Sequence, residues 1–243
     1  MKLDILAIGV HPDDIELGCS GTIINEINNG KKVGIVDLTQ GELGTRGSVE
    51  SRYTEAANAA TIMGVHIREN LKMADGFFKN DETHQRLLIH TIRKYQPEII
   101  LANVLHDRHP DHGRAGQLIT TAAFLSGLMR IETLDGNNKP QGRWRPKYVL
   151  HYIQDRFLTP NFVVDITAVF EEKLESIKAY ATQFHNPGVD GPQTYISTPD
   201  FLDSIIYRSK MLGKMIGVKY AEGFISEKMI GIKSLEVLIK ENT

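Results

Sequence analysis

The chain has 243 residues, a formal net charge of −2 and a hydrophobic fraction of 41%, as expected of a folded globular protein. The near-neutral charge argues against nucleic-acid binding, which depends on clustered Lys and Arg. The single cysteine, Cys19, excludes an internal disulfide and a zinc ribbon, and no apolar run reaches the roughly 18 residues of a transmembrane helix. The N-terminus carries an acid and enters a strand pattern at once, unlike a signal peptide. We therefore expect a cytoplasmic protein with no membrane and no nucleic-acid partner.

Strand and helix patterns alternate along the chain. The first strand, at 3–10, is a mostly apolar run of the kind that is buried on both faces of a parallel sheet. Further strands are predicted at 33–39, 65–71, 98–104, 148–153 and 162–165. Helices are predicted at 15–29, from Ser48 to about 63, and at 81–95, 114–126, 169–183 and 200–216. Repeated βα units with short connections predict an α/β fold: a single domain over 1–243, with a mostly parallel sheet in a Rossmann-like three-layer sandwich.

Two polar clusters follow strands of this predicted sheet. His11-Pro12-Asp13-Asp14 comes directly after the first strand, and a segment from His106 to Gly113 follows the strand that ends near 104. Ligands bind at the carboxyl ends of parallel strands, so the two clusters are expected side by side. Imidazole nitrogen and carboxylate oxygen suit Zn²⁺, and His11 and Asp14, three residues apart, are close enough to share one ion. A histidine from the second cluster would complete a three-ligand site.

Other interpretations of the same residues stay open at this point. Either cluster alone is also compatible with helix capping or with a solvated loop. Cys19 lacks the neighbouring base that a catalytic nucleophile needs, and we expect it to be a packing residue. The glycines at 41–47 lack the Gly-Lys-Ser/Thr end of a phosphate-binding loop. A metal-binding protein without catalysis and a nucleotide-dependent transferase remain the alternative functions.

The paired clusters resemble the signature of the PIG-L/LmbE-like superfamily of zinc-dependent deacetylases, which act on N-acetylglucosamine-type substrates. The resemblance extends over nearly the whole chain. The segments 41–47, 68–71, 75–78, 107–112 and 220–224 are similar to the branch of bacillithiol biosynthesis that deacetylates N-acetylglucosaminyl-malate. The resemblance implies hydrolysis of an amide on a small amino-sugar conjugate, with N-acetylglucosamine, its oligomers or another amino-sugar conjugate as alternative substrates. It also implies a homo-oligomer.

The resemblance assigns roles to individual residues. It implies that one Zn²⁺ per chain, or alternatively Fe²⁺, is bound by His11, Asp14 and His112. It also implies that Asp13 is the general base, that His109 assists the tetrahedral intermediate, and that Asp111 supports the site.

The candidate substrate contacts include three arginines. The guanidinium fork of arginine matches a carboxylate through two hydrogen bonds, and a malate conjugate carries two carboxylates. Arg52 and Arg108 resemble substrate-contact positions of the family, as do Glu42 and Asp75, whose carboxylates suit sugar hydroxyls. Arg145 is a further candidate.

Overall fold

The computed structural model describes residues 1–188 and 191–238, and it is built on a seven-stranded sheet. The strands are β1 (Ile5–Gly9), β2 (Val33–Thr39), β3 (Ile67–Met73), β4 (Ile99–Asn103), β5 (Tyr148–Tyr152), β6 (Phe162–Asp165) and β7 (Ala221–Ser226). The helices are α1 (Asp14–Asn28), α2 (Val49–Met63), α3 (Glu82–Tyr95), α4 (Pro110–Leu125), α5 (Phe170–Lys178) and α6 (Pro199–Ile216). The end of the predicted domain, at 243, lies outside the described residues.

The strand order is β3-β2-β1-β4-β5-β7-β6, and the first five of these strands are parallel. Strand β7 runs antiparallel to both of its neighbours. The chain moves outward from β1 to β3, then returns to place β4 on the other side of β1. This reversal opens a crevice at the carboxyl ends of β1 and β4, which is the usual ligand site of such sheets.

Helices cover both faces of the sheet and form the outer layers of a sandwich. One hydrophobic cluster joins the sheet to α1, α2, α5 and α6, and a second joins it to α3 and α4. Successive strand residues alternate between the two clusters: Ile5 and Ala7 belong to the first, and Leu6 and Ile8 to the second. This alternation follows from the strand period of two and explains the unbroken apolar run in the sequence. The predicted three-layer α/β fold with a mostly parallel sheet is confirmed.

Two helices differ from their predicted bounds by more than one residue at an end. Helix α4 begins at Pro110 rather than at 114, with His109 as its N-cap residue. Proline suits this first helical position because its missing N–H would have no intrahelical acceptor there. The second polar cluster is therefore partly the first turn of a helix. Helix α5 ends at Lys178 rather than at 183, and beyond it the Thr182 N–H donates to the Glu55 carboxylate, 2.7 Å away.

Strand β7 was not expected from the sequence. Its middle residues, Glu222 and Gly223, interrupt the apolar pattern of a strand, yet the Glu222 side chain is buried.

None of the helices within 1–188 and 191–238 is long and apolar enough to cross a membrane.

Candidate active site

The two polar clusters meet at the crevice between β1 and β4. The ring centroids of His11 and His109 are 4.9 Å apart, and that of His112 lies 5.8 Å from the first and 5.2 Å from the second. One nitrogen from each ring lies within 4.8 Å of the others. The sheet topology therefore brings together the three histidines singled out in the sequence.

A strained turn at the start of α1 presents the first cluster. Asp13 is the N-cap residue and has a φ of 132°, a conformation that residues other than glycine rarely adopt. Asp14 closes this turn, because its Oδ2 accepts hydrogen bonds from the backbone N–H groups of Val10, at 3.0 Å, and His11, at 3.1 Å. Backbone strain of this kind is concentrated at functional sites, where the surrounding structure sustains it.

His112 is held in the orientation of a metal ligand. Its Nδ1 lies 2.6 Å from Oδ2 of the buried Asp107, and its Nε2 lies 3.2 Å from Oδ1 of Asp14. The other Asp107 oxygen accepts the backbone N–H of Arg156 at 2.8 Å, which fixes the carboxylate. A carboxylate on the far nitrogen is the usual partner of a histidine that binds metal, since it sets the tautomer and leaves Nε2 free.

Several nitrogen and oxygen donors surround this point. His11 Nδ1 lies 3.8 Å from Oδ2 of Asp14, and His11 Nε2 lies 2.9 Å from Oδ1 of Asp75 and 3.8 Å from Oδ2 of Asp111. Within 1–188 and 191–238, two groups have ligand atoms close enough for one ion: His11 with His109 and His112, and His11 with Asp75 and Asp111. Mixed imidazole and carboxylate donors are those that Zn²⁺ prefers, so the residues fit a divalent metal.

The two adjacent aspartates of the first cluster have opposite electrostatic environments. Burial raises the pKa of Asp13 to about 7, and the nearby Arg52 guanidinium offsets only part of this effect. Burial also acts to raise the pKa of Asp14, but His112 outweighs it and holds that pKa well below its usual range. Burial acts to lower the pKa of His112, and the Asp14 and Asp107 carboxylates reverse this and raise it to about 10.

A pocket of about 250 Å³ opens above these side chains. Its walls include three predicted substrate contacts, Arg52, Asp75 and Arg108, together with Asp13 and the three histidines. The wall formed by α6 and the turn before it contains Ile196, Phe201 and Ile205, and also Arg208. The pocket therefore places polar side chains beside an apolar surface against which the carbon atoms of a ligand can pack.

The glycine-rich loop after β2 is shaped by the Arg52 side chain. Arg52 is 7% exposed, and its Nη1 lies 3.8 Å from Asp13 Oδ2. A Cβ on Gly41 or Gly44 would come within 2.6 or 2.7 Å of the guanidinium nitrogens, so a larger residue at either position would displace the guanidinium from where it lies. The guanidinium also donates to Gln183 Oε1. Arg52 is therefore a fixed part of the pocket wall.

Comparison with known proteins identifies the family. The family model described as PIG-L, GlcNAc-PI de-N-acetylase, matches residues 6–123, which contain both polar clusters. The diacetylchitobiose deacetylase of Thermococcus kodakarensis is 30% identical over 232 residues, which cover 90% of this chain and 81% of that protein. The chain belongs to the PIG-L family. The superfamily resemblance seen in the sequence is thus confirmed, and its bacillithiol branch stays a prediction.

Two solved structures share the fold of this PIG-L chain. The conserved protein TT1542 from Thermus thermophilus has a TM-score of 0.84 and 31% identity, covering 95% of this chain and 98% of that one. The N,N'-diacetylchitobiose deacetylase from Pyrococcus horikoshii, solved with its inhibitor MPG, has a TM-score of 0.77 and 26% identity, covering 91% and 82%. Both likenesses cover more than nine tenths of the PIG-L chain.

The remaining predicted site residues lie at different distances from the PIG-L pocket. Asp111 is buried, and its Oδ2 accepts the Gly76 N–H at 2.9 Å, which ties the loop after β3 to α4. Glu42 is exposed and does not line the pocket; its Oε1 accepts the Asp75 N–H at 2.8 Å. It therefore acts on the site through the Asp75 backbone.

Arg145 is not brought to the site, contrary to the sequence expectation. Its Nη2 donates to the Phe124 carbonyl at 2.9 Å, and its guanidinium lies 4.3 Å from the centre of the Phe124 ring. Phe124 is near the end of α4, about 21 Å along the helix from Pro110 at 1.5 Å per residue. Arg145 thus covers the end of α4 that is remote from the pocket.

Sequence reasoning missed several residues of the PIG-L site. Asn103 Nδ2 and Gln154 Nε2 donate to the two Asp14 oxygens, at 3.1 and 2.6 Å. Asp155 accepts the Arg108 Nε–H at 2.9 Å. Gln154 and Asp155 follow β5 after one intervening residue, so the rule that located the two clusters would have found them as well. Arg208, which lines the pocket from α6, had no comparable signal.

Proposed function

We propose that this PIG-L chain is a metal-dependent N-deacetylase that hydrolyses the acetamide of an N-acetylglucosamine conjugate to acetate and a free amine. One observation carries the proposal: His112, oriented by Asp107, faces Asp14 beside a carboxyl group, Asp13, that makes no hydrogen bond to the metal-ligand candidates. A metal site with an adjacent independent carboxyl group suits hydrolysis. A protein that only stores or carries metal has no need of such a group.

His11, Asp14 and His112 would hold the metal, with Zn²⁺ proposed first and Fe²⁺ second. When bound, the ion supplies Lewis-acid polarisation of the amide carbonyl and makes water more acidic. Asn103 and Gln154 fix the Asp14 carboxylate by donating to both of its oxygens. The ligand set is therefore oriented by neighbouring hydrogen bonds before any ion binds.

Asp13 would move the proton, and His109 would stabilise the oxyanion. Asp13 accepts a proton from the attacking water as the new carbon–oxygen bond forms. His109 Nδ1 accepts the Asp111 N–H at 3.3 Å, so the proton of its neutral ring is on Nε2. The His109 ring can therefore donate a hydrogen bond to the oxyanion even though burial and the other two histidines lower its pKa. Such a donor typically contributes roughly 10²–10³ in rate. The carbon–nitrogen bond then breaks, and Asp13 passes the proton that it took from the water to the departing amine.

For the substrate, we propose N-acetylglucosaminyl-malate, as in bacillithiol biosynthesis. Arg108 supports this choice: its Nε donates to Asp155, while its guanidinium stacks 4.2 Å from the centre of the Tyr195 ring at the pocket edge. Stacking and ion pairing fix the plane of the guanidinium, and its outer N–H groups remain suited to a substrate carboxylate. Diacetylchitobiose is the second candidate, because two relatives bear that activity in their names.

A substrate panel tests the proposal. Zinc-loaded protein is incubated with the malate conjugate, free N-acetylglucosamine and diacetylchitobiose, and acetate and free amine are measured for each. We expect equal amounts of both products, fastest from the malate conjugate. Faster turnover of diacetylchitobiose would replace the malate assignment, and the absence of acetate with all three would refute N-deacetylation of this substrate class. The cytoplasmic location and the homo-oligomer stay predictions.

A further inference from the structure

Helix α1 is broken shortly after it leaves the active site. Cys19 has a φ of −150° and a ψ of 16°, far from helical values, while α1 continues to Asn28. In an unbroken helix the Gly21 N–H would donate to the Leu17 carbonyl, and the Thr22 N–H to that of Gly18. Here both groups donate instead to the Glu222 carboxylate of β7, at 3.0 and 2.7 Å.

A lysine donates hydrogen bonds to the carbonyl groups on the N-terminal side of the break. Lys173 of α5 donates from Nζ to the carbonyls of Glu16, at 2.9 Å, and Leu17, at 3.2 Å. The same Nζ lies 2.8 Å from Glu222 Oε1 in an ion pair whose side chains are 1% and 3% exposed. The break has therefore separated helical donors from acceptors. Glu222 satisfies the donors, and Lys173 satisfies the acceptors together with Arg208, whose Nη2 donates to the Leu17 carbonyl at 3.3 Å.

Stability alone does not account for this pair. Removing two charges from water is costly, and a buried ion pair commonly adds no net stability over well-packed apolar side chains. The pair instead fixes the position of the two halves of α1. The Glu222 carboxylate can bind only the free N–H groups after the break, and the Lys173 ammonium can bind only the free carbonyls before it. Close packing supports the same geometry: a Cβ on Gly18 would come within 2.2 Å of the Tyr152 ring, so this part of α1 rests directly on the sheet.

We infer that Lys173 and Glu222 are positioning residues: by holding α1 open at Cys19, they set the direction of its first turn and thereby place Asp13 and Asp14. The first turn is short, and Lys173 binds a carbonyl only two residues after Asp14. The inference rests on the proposed function only for its activity measurement. Without the pair, the Gly21 N–H is free to return to the Leu17 carbonyl, and a straightened helix would turn Asp14 away from His112. Displacements of about 1 Å can cost an enzyme roughly 10²-fold in rate.

The test replaces the pair by apolar side chains in Lys173→Met/Glu222→Met, which keeps the volume filled. If the double variant does not fold, the same measurements are made on Glu222→Gln, whose side chain has nearly the same shape as the original. The matched control is Glu175→Met/Lys178→Met, which removes an exposed ion pair, at 3.0 Å, from the same helix α5. Because Cys19 is the single cysteine of the chain, ¹³C-cysteine labelling yields one resonance that reports the backbone conformation at the break. Zinc affinity, kcat and KM are measured on the same samples.

We expect the Cys19 Cα resonance of the variant to move toward helical values. Zinc affinity should fall roughly 10- to 100-fold, the usual effect of losing a group that orients metal ligands. The value of kcat, calculated per folded and zinc-loaded molecule, should fall at least about 10-fold with KM nearly unchanged, whereas a variant that is only less stable keeps the wild-type kcat on that basis. The control should match the wild type.

Two results would overturn the inference: an unmoved Cys19 resonance, or a moved resonance with wild-type zinc affinity. If the wild type releases no acetate from any substrate, the proposed function fails, and the resonance and the zinc affinity still decide the inference.

Discussion

Asp107→Asn removes the carboxylate that orients His112, and it should weaken metal binding strongly. The lost contact is a 2.6 Å hydrogen bond between His112 Nδ1 and Asp107 Oδ2. A hydrogen bond to a charged group contributes about 1.5–3 kcal/mol, which corresponds to roughly 10- to 150-fold in affinity. The introduced amide can keep the bond to the Arg156 N–H through its oxygen, but its NH₂ group would then face His112 Nδ1. The imidazole proton would have to move to Nε2, the atom that must be free to bind metal.

The assay is zinc competition against a chelator of known affinity, with wild type, Asp107→Asn and Asp155→Asn compared under one set of conditions. Asp155→Asn is the matched control, because Asp155 lines the same pocket and bonds to Arg108 and Tyr195 rather than to His112. We expect the control to keep wild-type affinity. Equal zinc affinity of Asp107→Asn and wild type would refute the orienting role and, with it, the case for His112 as a ligand.

Three further changes probe the base, the substrate contact and the fold. Asp13→Asn should keep its full zinc content while turnover falls roughly 10²-fold or more, the usual scale for a general base, as shown by elemental analysis and acetate release. Arg108→Ala should lower kcat/KM for the malate conjugate, relative to N-acetylglucosamine, by roughly 10-fold or more, because a charge-assisted hydrogen bond is lost; equal losses on both substrates would argue against a carboxylate contact. Burial lowers the pKa of His151, so the folded chain holds it neutral while the unfolded chain gains a proton below about 6.5. The contribution of His151 to the free energy of unfolding should therefore be lost as the pH falls below about 6.5, so the change in this free energy from pH 7 to pH 5, measured by urea unfolding, should be less favourable for wild type than for His151→Gln.

Much of the sheet was predictable from the sequence because its central strands are buried on both faces. Strand β2 was predicted at the bounds that it has, and β1 and β4 were predicted within two residues at each end. Strand β7 escaped prediction for a physical reason. Its Glu222 is buried because Lys173 and the broken α1 satisfy the carboxylate, and those partners lie 49 and about 200 residues away in sequence.

The site was predictable to the extent that it follows strand ends. The clusters containing His11 and His112 were found in this way because both lie where a buried strand emerges. Arg208 reaches the pocket only because α6 packs across the sheet. The sequence around Arg208 contains no pattern that would predict this packing. Arg145 was wrongly expected there because a guanidinium serves a backbone carbonyl at a helix end as readily as a substrate carboxylate.

The central claim is that this PIG-L chain hydrolyses an amino-sugar acetamide with a metal at the His11, Asp14 and His112 site. The most direct measurement is acetate release from the malate conjugate as metal-depleted protein is titrated with zinc. We expect no release at the start, a linear increase, and a maximum at one zinc per chain, with His112→Ala remaining inactive throughout. Full activity before zinc is added, or an undiminished maximum in His112→Ala, would contradict it.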